Sequence, residues 1–305
     1  MGANTTAKVD QAIDQIKRRY LGSVSRLREA VAAYVAKGTL PDPTSRSNGS
    51  FAYPELRIHY DGVDNGQDPL AFGRLASPGV YSTTITQPDL FESYLREQLT
   101  LLAEQYDIRF EVANGTQEIP FPYVLDGMTG GALGGVSPQE LSRHFPATEL
   151  ADIGDELADG LFVHEDGSPR PLALFDALRT DFSLARLRHY TGTPAEHFQR
   201  YILFTNYHRY VDEFVDWAVG QVGQNGYTAM SGAGGLYTDR PGADSTQLVA
   251  DSAWRRHQMP AYHLIAPGGN GISLVNIGVG PSNAKTITDH LAVLRPHCWL
   301  MIGHC

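Results

Sequence analysis

The sequence predicts an α+β domain over residues 1–190 followed by an incomplete α/β domain over residues 191–305. Three patterns carry that prediction. The first 190 residues mix long amphipathic helices with strands that do not alternate with them regularly, which argues for α+β. From about residue 200 the chain repeats strand, loop and helix, the rhythm of a mainly parallel sheet. The final stretch, Leu274–Cys305 (LVNIGVGPSNAKTITDHLAVLRPHCWLMIGHC), reads apolar strand, glycine turn, amphipathic helix and second apolar strand. No helix follows to cover that last strand, so the layer is expected to be begun here and not finished.

Taken in order, Thr5 or Thr6 can cap a helix to about Lys37. Val9, Ile13, Ile16, Tyr20, Val24, Leu27, Val31 and Tyr34 recur every three or four residues, and Gly38 closes it. Such a stripe predicts a core or oligomer face. A Pro/Ser/Asn loop leads to strands at Phe51–Tyr53 and Leu56–Tyr60, with a turn at Asp61-Gly62. Val80–Thr86 alternates as a strand, with Ser82, Thr84 and Thr86 on one face and Tyr81, Thr83 and Ile85 on the other. A helix after Pro88 carries Leu90, Phe91, Tyr94, Leu95, Leu99 and Leu102, and strands are expected at Arg109–Val112 and Tyr123–Leu125. The acidic run from Glu149 to Asp159 has helix-like spacing, as of a solvated helix face. A helix through Arg179, Arg186 and Arg188 breaks at Thr191-Gly192-Thr193-Pro194, a domain junction. Beyond it come strand Tyr201–Phe204, helix Arg209–Val219, strand Tyr227–Met230, a polar loop, strand Met259–Ile265, a glycine hairpin turn at Gly268–Gly271 and a crossover helix at Thr286–Leu294.

Bulk composition narrows the function. A net charge of −10 argues against a nucleic-acid binder, whose phosphate contacts need a basic face. It leaves room for a small anion held by local arginines and amides. The two cysteines, Cys298 and Cys305, imply no disulfide framework, and neither a signal peptide nor a membrane-length apolar run is present. A reduced, cytoplasmic protein is expected, without membrane or nucleic-acid partners. No HxxxH, CxxC or EF-hand spacing occurs, so no metal and no cofactor are assigned.

Three small-residue turns follow strands, at Thr205–Arg209, Ser231–Gly235 and Gly278–Ser282. In an open α/β sheet such turns converge beyond the C-terminal strand ends, where ligands bind. Setting Lys285-Thr286 in a GxxxxGK[ST] register puts Val279 and Ala284 where glycines are required, which rejects a phosphate-cradling P-loop. GVGPS is not GxGxxG either, because Asn283 replaces the third glycine and Pro281 removes an amide. A GxSxG elbow is absent. His304, after Gly303 at a strand tip, either orients a water or sugar hydroxyl or is a hydrogen-bonded structural histidine. In the first domain, Arg74 with Thr84 and Thr86 could hold a phosphate, against the plainer reading of a solvated strand face.

These residues carry a family likeness. YILFTNYHRYVDEF, LVNIGVGPSNAKTITDHLAVL and WLMIGHC resemble the first strand, anion loop, ribose turn and following strand of the nucleoside phosphorylase/nucleosidase family. FAYPELRIHYDG, AFGRLASPGVYSTTITQPDLFESYLREQLTLL, EIPFPYVLDG and DFSLARLRHYTGTP resemble the N-terminal domain found in its AMP nucleosidase branch. The resemblance implies hydrolysis of the N-glycosidic bond of AMP to adenine and ribose 5-phosphate through an oxocarbenium-like sugar. Thr205, Asn206, Tyr207, Arg209, Gly278, Gly280, Ser282 and Gly303 would then line the anion/ribose side, with His304 nearby. It also implies a homo-hexamer activated by ATP and inhibited by phosphate, residues 1–190 being regulatory. Met301 stands where the phosphorylases place a phosphate-binding arginine, which favours water as nucleophile. No residue matches the family's general acid, so an inactive fragment is expected. The alternatives are a non-catalytic nucleotide- or phosphate-sensing protein and a nucleoside phosphorylase. An exposed apolar edge at Trp299–Ile302, with poor solubility, is a further expectation.

Overall fold

A computed structural model describes residues 2–66, 70–125 and 135–303, with side chains from Thr5 onward. Two compact units divide the chain, Met1–Asp181 and Phe182–Cys305. The division falls within helix α5 (Ala177–Thr191), and the boundary expected at residue 190 lies near that helix's end.

In the first unit, α1 (Gly2–Lys37) is followed by Gly38, whose N–H donates to Tyr34 O at 2.7 Å. Strands β1 (Ala52–Asp64), β2 (Gly79–Thr84) and β3 (Tyr106–Glu118), with short β4 (Arg170–Pro171), form a sheet ordered β3-β1-β2-β4. β1 is antiparallel to both neighbours, and β4 is parallel to β2. The two-residue period of β1 turns Leu56, Ile58 and Tyr60 inward. There they meet Val9, Ile13 and Ile16 of the α1 stripe and Leu99 and Leu102 of α2 (Glu92–Gln105). The other half of the stripe, Leu27 and Val31, packs with Phe51, Tyr53, Ile119 and Phe145. Each fully buried Ile or Leu contributes about 1.5–3 kcal/mol, so the stripe is core.

Three expectations are corrected in this unit. The fragments at 51–53 and 56–60 are one strand, because Pro54 sits at a register shift against β3 where the ladder tolerates a missing donor. Residues 123–125 are not a strand but belong to helix α3 (Phe121–Leu125). Pro122 has its φ pre-set for a first helical turn, and Tyr123 N donates to Pro120 O at 3.1 Å. The acidic run is exposed as expected, yet holds only one 3₁₀ turn, Leu150–Asp152, between α4 (Pro138–Leu141) and β4. Among the described residues no cluster of potential metal ligands occurs.

In the second unit, β5 (Tyr201–Thr205), β6 (Ala229–Gly232), β7 (Leu236–Thr238), β8 (Ala261–Ile265), β9 (Ile272–Asn276) and β10 (Cys298–Ile302) form one sheet, ordered β10-β5-β9-β8-β6-β7. Only β10, β5 and β9 pair in parallel; the other pairings are antiparallel. The mainly parallel sheet is thus corrected to a mixed one. The glycine turn between β8 and β9 is too short for a parallel crossover, which needs a dozen residues or more. The polar stretch after Gly235 also contains β7 and helix α7 (Ser245–Asp251), capped by Asp244 accepting from Gln247 N at 3.0 Å.

One face of the sheet packs Met230, Tyr262, Leu264 and Leu274 against Val211, Phe214, Val215 and Ala218 of α6 (His208–Gln221). The opposite face packs Ile202, Phe204 and Val275 against Leu187 of α5 and Ile287 and Leu291 of α8 (Pro281–Leu291). α8 starts five residues earlier than expected because Pro281 suits the first helical position. β10 forms an edge, with Trp299, Leu300 and Met301 exposed as expected. No helix among the described residues is long and apolar enough to cross a membrane.

Candidate functional site

The three parallel strands end level. Ile302 of β10 is in register with Thr205 of β5, and Thr205 with Asn276 of β9, so the segments that follow leave the sheet at one edge. This is the C-terminal edge, where ligands sit in open α/β sheets. Thr205 is fully buried and anchors both sides. Its carbonyl accepts from Ile277 N at 2.8 Å, and its Oγ1 accepts from Tyr207 N at 3.2 Å. Asn276 shapes the second turn, its Oδ1 accepting from Gly278 N at 3.0 Å. Asn283 Nδ2 reaches back to Ile277 O at 2.9 Å, while Gln258 Nε2 holds Asn283 Oδ1 at 3.1 Å. Gly278 (φ +60°) and Gly280 (φ +109°) take backbone conformations that a side chain would strain.

That turn delivers the start of α8, and Thr205–Tyr207 deliver the start of α6. Among the described residues no side chain caps either helix. Tyr210 N already donates to Tyr207 O at 3.2 Å and Pro281 has no N–H, so the amides open to an anion are those of His208 and Arg209 in α6 and of Ser282 and Asn283 in α8. Arg209, second residue of α6, is exposed and makes no hydrogen bond or ion pair among the described residues. Gly303 continues β10 against the same place. A Cβ there would stand 3.7 Å from Asn206 Oδ1 and 3.8 Å from Tyr207 Cε2. Asn206 Oδ1 is itself buried with no hydrogen-bond partner among the described residues, an acceptor waiting for a donor such as a ligand hydroxyl.

Sequence-selected residues from both turns and from β10 therefore assemble at one edge: Thr205, Asn206, Tyr207 and Arg209; Gly278, Gly280 and Ser282; and Gly303. His304 lies outside the described residues. The Ser231–Gly235 turn leads through a 3₁₀ turn into antiparallel β7, not into a helix, and Gly234 packs against the backbone of Ala253 and Trp254.

The first unit uses its selected threonines otherwise. Thr84 Oγ1 donates to Gln117 Oε1 at 2.9 Å and accepts from Ala177 N at 3.0 Å. Thr86 is buried, and its hydroxyl donates to Asp181 Oδ1 at 2.8 Å. Both hydroxyls are thus occupied by protein groups and are not turned toward an anion. Arg74 is exposed and has no partner among the described residues. Asp181 also accepts from Tyr53 OH at 2.6 Å, and burial pushes its carboxyl up to about 7 despite the two hydrogen bonds.

A second polar cluster, not found from the sequence, lies toward the start of β9. Gln199 N–H donates to Ser273 Oγ at 2.8 Å, which leaves that hydroxyl to donate to His263 Nδ1 at 2.8 Å. The ring proton is then on Nε2 and goes to Thr193 Oγ1 at 3.0 Å. Thr193 donates to Thr191 Oγ1 at 3.1 Å, and Thr191 to Leu187 O at 2.6 Å. Burial, with His197 nearby, holds the His263 pKa well below the usual imidazole range. Each group in this chain has a partner, so its role is to fasten the segment after α5 to the sheet.

A family model described as "Bacterial AMP nucleoside phosphorylase N-terminus" matches residues 11–169. Two curated relatives, both AMP nucleosidases, from Escherichia coli (strain K12) and Escherichia coli O157:H7, are 53% identical over 298 residues. The match takes in 97% of this chain and 61% of each relative, so the chain spans less than two thirds of their length. Among solved structures, an AMP nucleosidase from Bacteroides thetaiotaomicron aligns with a TM-score of 0.28 at 23% identity, over 41% of this chain and 40% of that one.

Proposed function

Because the chain belongs to the AMP nucleosidase family, we propose that the C-terminal edge of its second sheet is the ribose-phosphate side of a cleft at which AMP is hydrolysed to adenine and ribose 5-phosphate. In that reaction the C1′–N9 bond breaks, a C1′–O bond forms to water, and the proton released by water balances the one taken up by adenine. The carrying observation is the level ending of β5, β9 and β10, with Asn206 Oδ1 buried beside Gly303 and unpartnered among the described residues. The open amides at the starts of α6 and α8 and the guanidinium of Arg209, which has no partner among the described residues, suit a phosphate monoester. Asn206 suits a ribose hydroxyl, which it would accept as a donor. Family membership extends the proposal to a cytoplasmic homo-oligomer, a hexamer, activated by ATP and inhibited by phosphate.

The test is titration of the 305-residue chain with AMP, alongside an adenine-release assay. Binding of AMP that Arg209→Met weakens about tenfold, roughly one charge-assisted hydrogen bond, supports the reading. AMP affinity unaffected by that substitution contradicts the assignment of the anion end. ATP or phosphate binding without any AMP binding or adenine release favours the sensing alternative, and cleavage that requires phosphate favours a phosphorylase.

A further inference from the structure

We infer that His208, held in one tautomer by Asn276, donates a hydrogen bond to the phosphate-monoester end of the nucleotide. This rests on the cleft proposed above and adds a residue to it. Asn276 is almost wholly buried at the tip of β9. Its Oδ1 already accepts from Gly278 N, so the amide must point its Nδ2 the other way, toward His208 Nδ1 at 3.4 Å. An NH₂ group only donates; Nδ1 therefore accepts, and the ring proton resides on Nε2. That Nε2–H has no partner among the described residues, and His208 is exposed.

Position gives this donor its direction. His208 is the first residue of α6, three beyond the strand-tip residue Thr205, next to Arg209 and to the open amides of the helix start. Its ring packs on Trp254 with centroids 5.3 Å apart, and Arg255 lies over the Trp254 ring at 4.6 Å. Trp254 Nε1–H is buried without an acceptor among the described residues. The start of α6 thus offers the imidazole N–H of His208 together with the guanidinium of Arg209, with Arg255 held across the Trp254 ring. Asp212 and Glu213, one turn along α6, are the nearby acidic residues on that helix. A surplus of donors beside a helix N-terminus calls for a ligand rich in acceptor oxygens, which a phosphate monoester is and a nucleoside is not.

The experiment compares AMP, ribose 5-phosphate and adenosine by calorimetry on the full 305-residue chain. His208→Phe keeps a ring against Trp254 and removes the donor; His208→Asn keeps the contact to Asn276 but is too short to replace Nε2–H; His208→Gln carries an amide N–H out to that position. We expect the Phe and Asn variants to bind AMP and ribose 5-phosphate about tenfold more weakly and adenosine within about twofold of the parent. The Gln variant should recover phosphate-ligand affinity to within about threefold, as for one hydrogen bond to a charged acceptor. Equal losses for AMP and adenosine, or no loss for any ligand, overturn the inference. Adenosine binding by the parent chain with neither phosphate ligand bound overturns it while leaving a nucleoside cleft standing. Failure of all three ligands to bind the parent overturns the cleft itself and this inference with it.

Discussion

Replacing Asp181 by Asn should make the first unit more stable above neutral pH and flatten its pH dependence. Asp181 is 3% exposed, accepts from Tyr53 and Thr86, and has no cationic partner among the described residues; the charge that acts on it, Asp176, is of like sign. Its carboxyl titrates at about 7 in the fold against an ordinary 3.8, because burial disfavours the ionised form. The folded state therefore holds the proton more tightly than the unfolded state. The group's contribution to stability is fully present below the ordinary value and is lost as pH rises to about 7, after which it is constant. A shift of about three pH units at about 1.4 kcal/mol each gives a ceiling of about 4 kcal/mol, of which about 2–3 kcal/mol falls between pH 5 and 8. Asn keeps an acceptor for one hydroxyl and offers an amide to the other, giving back about 1–2 kcal/mol of hydrogen bonding. The net expectation at pH 8 is a gain of about 2 kcal/mol. The three tryptophans, Trp217, Trp254 and Trp299, lie in the second unit, so the readout must be local. Hydrogen exchange of β1 and β2 amides in the full chain, corrected for intrinsic rates, supplies it. A variant that retains the parent's pH dependence, or is less stable than the parent at pH 8, would refute the reasoning.

Other expectations concern the second unit. His263→Phe strands Ser273 and Thr193 in the core and should cost about 3 kcal/mol, read by urea denaturation followed through tryptophan fluorescence. Since folding depresses the His263 pKa, the parent's second unit should lose stability as pH falls from about 6.5, where the unfolded chain takes up the proton first. The Phe variant should lack that part of the acid sensitivity. Leu300→Lys places a charge on the exposed face of edge strand β10 and should reduce concentration-dependent association in sedimentation velocity.

What the sequence disclosed follows from what leaves a periodic trace. The α1 stripe and the alternation of β1 are repeated choices along one element, so their buried faces could be read directly. The level strand tips were also legible, because glycine-rich turns after apolar runs mark a sheet edge in any α/β arrangement. The expected strand at 123–125 fails because a run so short has no period, and Pro122 decides the matter locally in favour of a helical turn. β7 and α7 leave no trace in the sequence because elements of three and seven residues are too short to show a period within a polar loop. His208, Asn276, His263 and Asp181 act through single hydrogen bonds to partners distant in the chain, such as Tyr53 for Asp181, and no local spacing announces such a pair. Thr84 and Thr86 illustrate the converse. A threonine-rich strand face reads from sequence as either solvated or anion-binding, and it is neither where Gln117, Ala177 and Asp181 occupy its hydroxyls.

The central claim is that the edge formed by Thr205, Asn276 and Ile302 binds the ribose-phosphate end of AMP. A crystal structure of this chain with AMP addresses it directly. The account predicts phosphate oxygens at the start of α6 within hydrogen-bonding distance of Arg209 and His208, and a ribose hydroxyl donating to Asn206 Oδ1. AMP bound in the first unit around Arg74, or at the opposite end of the second sheet, would contradict it.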